Sequence, residues 1–288
     1  MTESGSRLAG MRVLVTGGSR GIGREVCHHL AREGARVLVA ARGQDAVAET
    51  VAELEGDGHR GLPLDVSDPA AWEHVAAILQ DDGLDGVVTA AAVIEPIGPV
   101  STYDPAQFWR TMSINVFGTF LAIHHSMPAL EASRGAIVTF SGGGATSPLP
   151  RFDAYACSKA AVVRLAENLA VVTREQGVTI NSIAPGFVVT SMHEATLAAG
   201  PQAVGEDYFE RTRTAVAEGG ASAAEAAALV VFLLSQDAEG ISGKLISAQW
   251  DPWRDEEFRR RLRDDADLAT LRRIDDVYFG ALDRAASL

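Results

Sequence analysis

The fold of this chain is decided by the stretch Thr16-Gly17-Gly18-Ser19-Arg20-Gly21-Ile22-Gly23. An apolar run, Arg12–Thr16, precedes the stretch, and a helical pattern over residues 22–33 follows it. The glycines let the backbone turn tightly and approach an anion, and the following helix N-terminus offers free N–H groups and a positive dipole. A lone glycine cluster could equally be an ordinary left-handed turn. Strand, loop and helix in this order instead favour a site for a dinucleotide pyrophosphate.

Outward from this loop, short apolar runs alternate with longer helical patterns, which is typical of a parallel sheet covered by helices on both faces. The predicted strands are Arg12–Thr16, Arg36–Ala41, Gly61–Pro63, Gly86–Thr89, Ala136–Phe140, Thr179–Ile183 and Lys244–Ala248. The predicted helices span residues 22–33, 45–55, 69–80, 105–130, 154–176 and 222–235. Residues 191–221 show little periodicity and are predicted to form a mobile flap or a plain surface loop. The predicted fold class is α/β, a Rossmann-type, doubly wound, parallel sheet of seven strands.

The composition changes after Ala248. Trp250 and Trp253 are followed by a charged run, Arg254–Asp267, and then by apolar residues on one helical face, namely Leu271, Ile274, Tyr278 and Leu282. The pattern predicts a helical appendage. We expect residues 250–288 to cross a subunit boundary of a homo-oligomer, a dimer or tetramer, or to fold over the substrate cleft. Packing on its own subunit is the alternative.

The chain is thus divided into a polar N-terminal tail (1–10), a dinucleotide-binding and catalytic domain (11–249) and a C-terminal extension (250–288). The net charge of −13 and the pI near 5.0 argue against nucleic acid and against an anionic membrane surface as partners. A small-molecule substrate is expected instead.

Two cysteines, Cys27 and Cys157, lack metal-ligand or redox-motif spacing, so we predict free thiols and no metal site. Residues 1–10 lack the apolar core of a signal peptide, and the longest apolar run, Ala226–Leu234, has nine residues. We therefore expect no membrane span and a cytoplasmic location.

The segment Tyr155-Ala156-Cys157-Ser158-Lys159 places a phenol and an ammonium at positions i and i+4, which share one face of a helix. A free tyrosine has a pKa of about 10. The cation of Lys159, together with that of a nicotinamide, is expected to lower the pKa of Tyr155 toward neutral pH. Taken alone, the pair could be surface neighbours. Its position after the fifth strand, downstream of the glycine loop, favours a catalytic pair.

With these features the chain resembles the short-chain dehydrogenase/reductase family along nearly its whole length. The G-x-x-x-G-x-G spacing is that family's own, and Tyr155 and Lys159 match its Y-x-x-x-K motif. The resemblance implies that Tyr155 exchanges a proton with the substrate oxygen and that Lys159 tunes it and holds the nicotinamide ribose. Asn115 matches the residue that anchors a water in the proton relay, although it could also satisfy a helix kink.

The resemblance also implies where the cofactor binds. Asp65 in Leu64-Asp65-Val66 matches the adenine-pocket element, although it could equally cap the helix that starts near Pro69. In Pro185–Thr190, the backbone near Val188 would meet the carboxamide, and Thr190 a phosphate. The predicted cofactor-binding residues are Gly17, Ser19, Arg20, Gly21, Ile22, Gly23, Arg42, Asp65, Val66, Ala91, Tyr155, Lys159, Pro185, Gly186, Val188 and Thr190.

At three positions the chain departs from the family pattern. The second strand ends in Arg42 where an NAD-specific protein usually has an acid, so Arg42, with Arg20 and Ser19, favours NADP(H) over NAD(H). A solvated strand-end charge is the alternative. The fourth strand ends Thr89-Ala90-Ala91-Ala92 in place of Asn-Asn-Ala-Gly, which removes the side chains that usually brace this edge.

The third departure is at position 142, where glycine replaces the substrate-binding hydroxyl that the family carries thirteen residues before the tyrosine. We expect Ser141 to take its place as the fourth catalytic residue, with Thr146 and Ser147 as later options and a plain strand-end turn as the alternative. The expected activity is that of an NADP(H)-dependent ketoreductase or alcohol dehydrogenase on a small carbonyl or hydroxyl compound of secondary metabolism or sugar modification. An epimerase or isomerase with permanently bound cofactor, and a non-catalytic nucleotide-sensing protein, are the rival hypotheses.

Overall fold

The computed structural model describes residues 6–273. Its strands are β1 (Arg12–Thr16), β2 (Arg36–Ala41), β3 (Arg60–Pro63), β4 (Gly86–Thr89), β5 (Ala136–Phe140), β6 (Thr179–Ala184) and β7 (Leu245–Ser247). Its helices are α1 (Gly21–Arg32), α2 (Gln44–Glu53), α3 (Pro69–Asp82), α4 (Pro105–Met112), α5 (Gly118–Ser133), α6 (Asp153–Val172), α7 (Ser191–Val204), α8 (Glu206–Ala217), α9 (Ala223–Leu234) and α10 (Glu256–Asp264). A π-helical turn (Ser113–Phe117) joins α4 to α5, and a 3-10 turn (Gln236–Ala238) follows α9.

The seven strands form one parallel sheet in the order β3-β2-β1-β4-β5-β6-β7. The chain order reverses between β1 and β4, and in open α/β sheets a ligand crevice forms beyond the carboxyl ends of the strands at such a point. The α/β fold class and the seven-stranded, doubly wound sheet are therefore confirmed.

Each central strand alternates its side chains between two buried layers. On β1, Val13 and Val15 point into the layer that holds α1 and α9, whereas Leu14 points into the layer that holds α3, α5 and α6. Both faces of the strand are thus apolar, and neither is left to water. This double burial explains why the sequences of the central strands are continuous apolar runs. The site is built on the carboxyl edge of the sheet that these strands form.

Two predicted segments differ from the structure. The helix expected over 105–130 is divided by the π-helical turn, and the expected loop at 191–221 contains α7 and α8. Gly200, with a φ of 78°, kinks α7, and Gly205, with a φ of 92°, separates the two helices. These interruptions break the apolar periodicity, so the segment lacked a helical pattern although alanine favours a helix locally.

The described part of the C-terminal extension packs on its own chain. Trp253 is 4% exposed, with its ring centre 5.6 Å from that of Phe232 on α9. Lys244 at the start of β7 donates from Nζ to the backbone oxygens of Asp265 (2.5 Å) and Leu268 (3.0 Å) beyond α10. This packing agrees with the alternative that the extension packs on its own subunit, and the expectation of a subunit boundary or a cover over the substrate cleft stays a prediction.

Ile274, Tyr278 and Leu282 of the predicted apolar stripe lie outside the described residues. At the other end of the chain, Leu8 in the predicted polar tail is completely buried, and its N–H donates to the Glu33 carbonyl (3.0 Å). Among residues 6–273, no helix is both long and apolar enough to cross a bilayer.

Candidate active site

The glycine loop between β1 and α1 is packed too closely for side chains. Gly17 has a φ of 71°, and a Cβ there would lie 2.6 Å from the Ala91 nitrogen beyond β4. A Cβ on Gly23 would collide with the carbonyl oxygen of Gly17. Because both obstacles are backbone atoms, glycine is required at both positions, and the loop lies directly over the carboxyl end of the sheet.

Helix α1 begins at Gly21 without a side-chain cap, since the side chain of Arg20 at the N-cap position makes no capping hydrogen bond. Its first N–H groups therefore point into a cleft of about 400 Å³. Thr190 reaches the same loop, because a Cβ on Gly21 would be 3.5 Å from Thr190 Cγ2. Predicted cofactor residues that line the cleft are Gly17, Ser19, Arg20, Gly21, Ile22, Gly23, Arg42, Asp65, Val66, Ala91 and Thr190.

At one end of this cleft Asp65 is held by the residues that follow it. Its Oδ1 accepts from the Ser67 N–H (3.0 Å) and from Ser67 Oγ (2.7 Å). Burial acts to raise the pKa of Asp65, but the Ser67 hydrogen bonds and the charges of Arg42 and Arg110 outweigh it and lower that pKa. The α3 cap is Asp68, which accepts from the Ala70 N–H, so Asp65 is left to face the cleft.

The Arg20 and Arg42 side chains are exposed at the same cleft. Within residues 6–273, neither guanidinium donates a hydrogen bond to the protein. Arg42 does act electrostatically on Asp65, which places its charge at the end of the cleft where the second strand finishes. The two guanidinium groups are thus available to an anion in the cleft.

Asn115, in the π-helical turn, is 1% exposed and hydrogen-bonds within the protein through both its amide oxygen and its amide nitrogen. Its Oδ1 accepts from the Val93 N–H (2.9 Å), and its Nδ2 donates to the Val93 carbonyl (2.9 Å) and to Ser158 Oγ (2.9 Å). Asn115 therefore braces the segment after β4 from a neighbouring helix, which compensates for the side chains that the Thr89-Ala90-Ala91-Ala92 sequence lacks. It also ties that segment to α6.

Tyr155 and Lys159 lie on the same face of α6, as their spacing predicts. Lys159 is 4% exposed; its Nζ donates to the Phe140 carbonyl at the end of β5 (2.9 Å) and lies 5.6 Å from the Tyr155 ring centre. That carbonyl takes one of the three ammonium protons. The remaining donors are available to a ligand beside Tyr155.

The pKa of Tyr155 does not follow the sequence expectation. Burial, with a smaller contribution from Tyr208, raises the pKa of Tyr155 to about 12. Burial also lowers the pKa of Lys159 to about 8, which weakens the cation that was expected to depress the phenol. In the protein alone, desolvation outweighs the attraction between the two groups.

Gly142, rather than Ser141, faces the phenol. A Cβ on Gly142 would meet the Tyr155 hydroxyl and would lie 3.1 Å from Cζ of the same ring. The Ser141 N–H donates to the Ile183 carbonyl (2.8 Å) and so continues the β5–β6 ladder. Ser141 itself is 3% exposed, and its role as a catalytic residue stays a prediction.

An apolar cluster encloses Tyr155. Its buried members are Ile94, Phe152 and Val204, against which Tyr155, Leu149, Met192, Tyr208 and Phe209 pack. Sequence reasoning missed Met192, Tyr208 and Phe209 because they lie in the segment that was predicted to be a loop. The aromatic pair Tyr208-Phe209 was the available signal.

The segment after β6 is backed by the C-terminal sequence. Gly186 has a φ of 85°, and a Cβ there would lie 2.5 Å from Gln249 Cγ, so only glycine leaves room for Gln249. Thr190 then caps α7, with its N–H and hydroxyl against His193 Nδ1 at 3.3 Å and 3.4 Å. Burial lowers the pKa of His193, which favours the neutral ring that this capping contact needs.

The residues of this edge fit a nicotinamide dinucleotide. The uncapped α1 N-terminus and the close approach at Gly17 suit a pyrophosphate, and Asp65 lies at one end of the cleft. Lys159, with its spare donors, and Tyr155 stand beside the carboxyl end of β5. Tyr155 packs with Ile94 and Met192, which line the cleft, so the pair lies next to the crevice predicted by the strand order.

The sequence matches a family model described as short chain dehydrogenase over residues 11–199. The 3-beta-hydroxysteroid dehydrogenase of Comamonas testosteroni is 32% identical over 248 residues, which cover 84% of this chain and 96% of that protein. Levodione reductase of Leifsonia aquatica is 31% identical over 245 residues, 81% of this chain and 91% of that protein.

A crystal structure of NAD+-bound xylitol dehydrogenase superposes with a TM-score of 0.75 at 23% identity, covering 84% of this chain and 98% of that one. This likeness concerns the fold. The family match and the relatives above 30% identity extend it to the chemistry. The chain belongs to the short-chain dehydrogenase/reductase family and is an oxidoreductase that interconverts alcohol and carbonyl groups with a nicotinamide cofactor.

Proposed function

We propose that the protein is an NADP(H)-dependent ketoreductase or alcohol dehydrogenase for small, uncharged, largely apolar compounds. The observation that carries the proposal is the position of Tyr155. Its phenol lies beside Lys159 and within an apolar cluster, next to the crevice that ends at the uncapped α1 N-terminus.

In this proposal the bound cofactor supplies or accepts a hydride at its nicotinamide ring. Tyr155 gives the substrate oxygen a proton during reduction and takes one back during oxidation. Lys159 stabilises the phenolate, and its Phe140 hydrogen bond fixes the ammonium near the ring. Asn115 acts by position, since it holds the segment after β4 against α6, and the expected relay water would be anchored there.

The preference for NADP(H) rests on charge at the cofactor cleft. Arg42 and Arg20 line the cleft, and a 2′-phosphate would offer both of them an ion pair. Ser19 adds a hydroxyl at the same place. Asp65, at the adenine end, has its pKa lowered and is therefore a carboxylate that can accept a hydrogen bond from an exocyclic amine. On the nicotinamide side, Pro185, Gly186 and Val188 are proposed to offer their backbone, and Thr190 its hydroxyl, to the cofactor.

The proposed substrate class follows from the walls around Tyr155. Ile94, Leu149, Phe152 and Met192 present no charge to the phenol, so an apolar ring is favoured over a polyol or a sugar. One of the relatives described above is named for a hydroxysteroid, which agrees with the proposal.

We also propose a homo-oligomer in the cytoplasm. Trp109, Phe117 and Phe120 are 68%, 41% and 41% exposed on α4, the π-helical turn and α5, and such side chains are commonly covered by a partner. Cys27 and Cys157 are both free thiols, which agrees with a reducing compartment. Light scattering on the full chain measures the mass; a monomer would contradict the oligomer.

The test is a turnover panel of cyclohexanone, fluorenone, a ketosteroid and xylulose with NADPH and with NADH. We expect the apolar ketones to be reduced faster than xylulose, with the higher kcat/KM for NADPH. Tyr155→Phe should abolish turnover while the Kd for NADPH stays within about threefold, because only the transferable proton is removed.

Retained reduction in Tyr155→Phe would refute the assigned proton donor. A preference for xylulose would refute the substrate class. Net conversion of a substrate without added nucleotide would identify instead an epimerase or isomerase that keeps its cofactor bound.

A further inference from the structure

The surroundings of the Tyr155 hydroxyl lack a second donor at the position where one is expected. A carbonyl oxygen that gains negative charge during reduction is stabilised by preorganised hydrogen-bond donors aimed at it. The backbone position that faces the phenol is Gly142, which has no side chain, and the N–H of the preceding Ser141 continues the β5–β6 ladder. A side chain on another element can therefore supply the second donor.

Besides Tyr155, the described residues of the apolar cluster include one more side chain with a hydroxyl, that of Tyr208 near the start of α8. Its ring centre lies 5.1 Å from that of Phe152, which is fully buried and precedes Tyr155 by three residues. Tyr208 and Tyr155 pack against one apolar cluster. Burial first, and Tyr208 second, raise the pKa of Tyr155, which agrees with the packing of both rings against this cluster.

Burial also raises the pKa of Tyr208 itself, despite the opposing charge of Arg211. A phenol with a raised pKa keeps its proton at neutral pH and remains a hydrogen-bond donor. The guanidinium of Arg211 lies 5.7 Å from the Tyr208 ring centre and helps to fix the ring on its own helix. Tyr208 is thus a protonated, oriented donor in apolar surroundings.

Tyr208 is on α8, and the preceding helix, α7, is attached near both of its ends. Helix α7, which leads into α8, begins at Thr190 against the glycine loop. Near its C-terminal end, Arg151 Nη1 donates to the backbone oxygens of Gln202 (2.5 Å) and Ala203 (3.1 Å), which ties the α7–α8 connection to the segment before α6. These attachments hold α8 over Tyr155.

We propose that Tyr208 is a second catalytic phenol, whose hydroxyl donates a hydrogen bond to the same substrate oxygen that Tyr155 protonates. This inference rests on the proposed function. During reduction, hydride adds to the carbonyl carbon, the C=O π bond opens, and the Tyr155 proton passes to the oxygen to give the alcohol. Tyr208 keeps its own proton, and Tyr155 recovers one from solvent. Because α8 supplies this donor, binding of the substrate oxygen is coupled to the packing of α8 against the apolar cluster.

The first test compares three variants with the fastest apolar ketone of the panel. Tyr208→Phe keeps the ring against Phe152 and removes the hydroxyl, and we expect kcat/KM to fall roughly 10- to 100-fold. The matched control is Thr212→Val, one turn further on α8, which removes a buried hydroxyl that has no hydrogen-bond partner among the described residues. Thr212→Val should change kcat/KM by less than about threefold, Ser141→Ala should lose less than Tyr208→Phe, and the Kd for NADPH should be unchanged in all three.

A second readout needs neither turnover nor an identified substrate. Ultraviolet difference titration follows phenol ionisation, and the signal lost in Tyr155→Phe identifies Tyr155. In Tyr208→Phe the apparent pKa of Tyr155 should fall, because the neighbouring phenol no longer raises it. The Thr212→Val control should leave that titration unchanged.

Wild-type kcat/KM in Tyr208→Phe, or an unchanged Tyr155 titration in that variant, would overturn the proposal. A loss in Ser141→Ala as large as that in Tyr208→Phe would also overturn it, in favour of the hydroxyl expected from the sequence. Failure of the proposed function is a separate result, since it would appear as retained turnover in Tyr155→Phe.

Discussion

The Lys159 ammonium lies 5.6 Å from the centre of the Tyr155 ring, and its Phe140 hydrogen bond holds it there. The ammonium is buried, and this burial lowers its pKa to about 8. The buried positive charge therefore destabilises the folded protein until a ligand interacts with it. This cost can be measured as a dependence of stability on pH.

Lys159→Met should remove part of that dependence. Lysine has its ordinary pKa of 10.5 when unfolded and about 8 in the folded protein, so the unfolded chain binds more protons between these values. The free energy of unfolding should therefore rise with pH in this window, by up to about 1.4 kcal/mol per unit, and the methionine variant should lack this contribution. Urea denaturation without cofactor at pH 8.0 and about 9.5 measures the difference. Parallel curves for the two proteins would contradict it.

Arg42→Asp should shift the cofactor preference toward NAD(H). The variant removes a cation from the cleft and adds a carboxylate, which repels a 2′-phosphate and accepts ribose hydroxyls. We expect the ratio of kcat/KM for NADPH to that for NADH to fall roughly 10- to 100-fold. Arg36→Ala, at the opposite end of β2, is the control and should leave the ratio unchanged. An unaltered ratio in Arg42→Asp would mean that Arg42 does not contact the phosphate.

Gly17→Ala and Gly10→Ala separate backbone strain from crowding. Both glycines have left-handed backbones, with φ of 71° and 76°, but a Cβ on Gly17 would lie 2.6 Å from the Ala91 nitrogen, whereas one on Gly10 meets nothing within 4 Å. Each variant should lose about 1–2 kcal/mol of stability to strain. Gly17→Ala should lose more and should also bind NADPH at least roughly tenfold more weakly, as judged by fluorescence titration. Equal affinities would exclude close approach at Gly17 as a requirement.

Trp253→Ala and Trp250→Ala test how the C-terminal extension is anchored. Trp253 is 4% exposed against Phe232, whereas Trp250 is 77% exposed. Trp253→Ala should therefore cost about 3–5 kcal/mol of the free energy of unfolding, and Trp250→Ala less than about 0.5 kcal/mol. Urea denaturation measures both, and light scattering follows the mass. If Trp250→Ala alone dissociated an oligomer, this tryptophan would belong to a subunit boundary after all.

The strands and the glycine loop could be predicted because their requirements are local. A central parallel strand is buried on both faces and is therefore largely apolar, as in Val13–Val15 and Ala136–Val138. The loop needs glycine wherever another backbone comes too close, and the Tyr155–Lys159 spacing sets a helix face. Each of these signals is complete within a few consecutive residues.

The features that sequence reasoning missed depend on distant partners. Helices α7 and α8 are interrupted by glycines and bury residues such as Tyr208 only against the surroundings of Tyr155. Likewise, Trp253 finds Phe232 on another helix, and the raised pKa of Tyr155 results from the burial that several elements produce together. None of these partners is adjacent in the chain, so periodicity and spacing do not identify them.

The π-helical turn at Ser113–Phe117 has a genetic consequence. A π turn holds one residue more than an α turn, so removing a single codon here would restore a regular helix with every backbone hydrogen bond intact. Because the π turn takes up its extra residue locally, the deletion would change chiefly the position of Asn115 within the turn. Asn115 would then lose register with either Val93 or Ser158, which it now joins. Such a deletion would make the helix more regular but would remove the support that Asn115 gives to the crevice. Selection on the gene must therefore preserve the π turn.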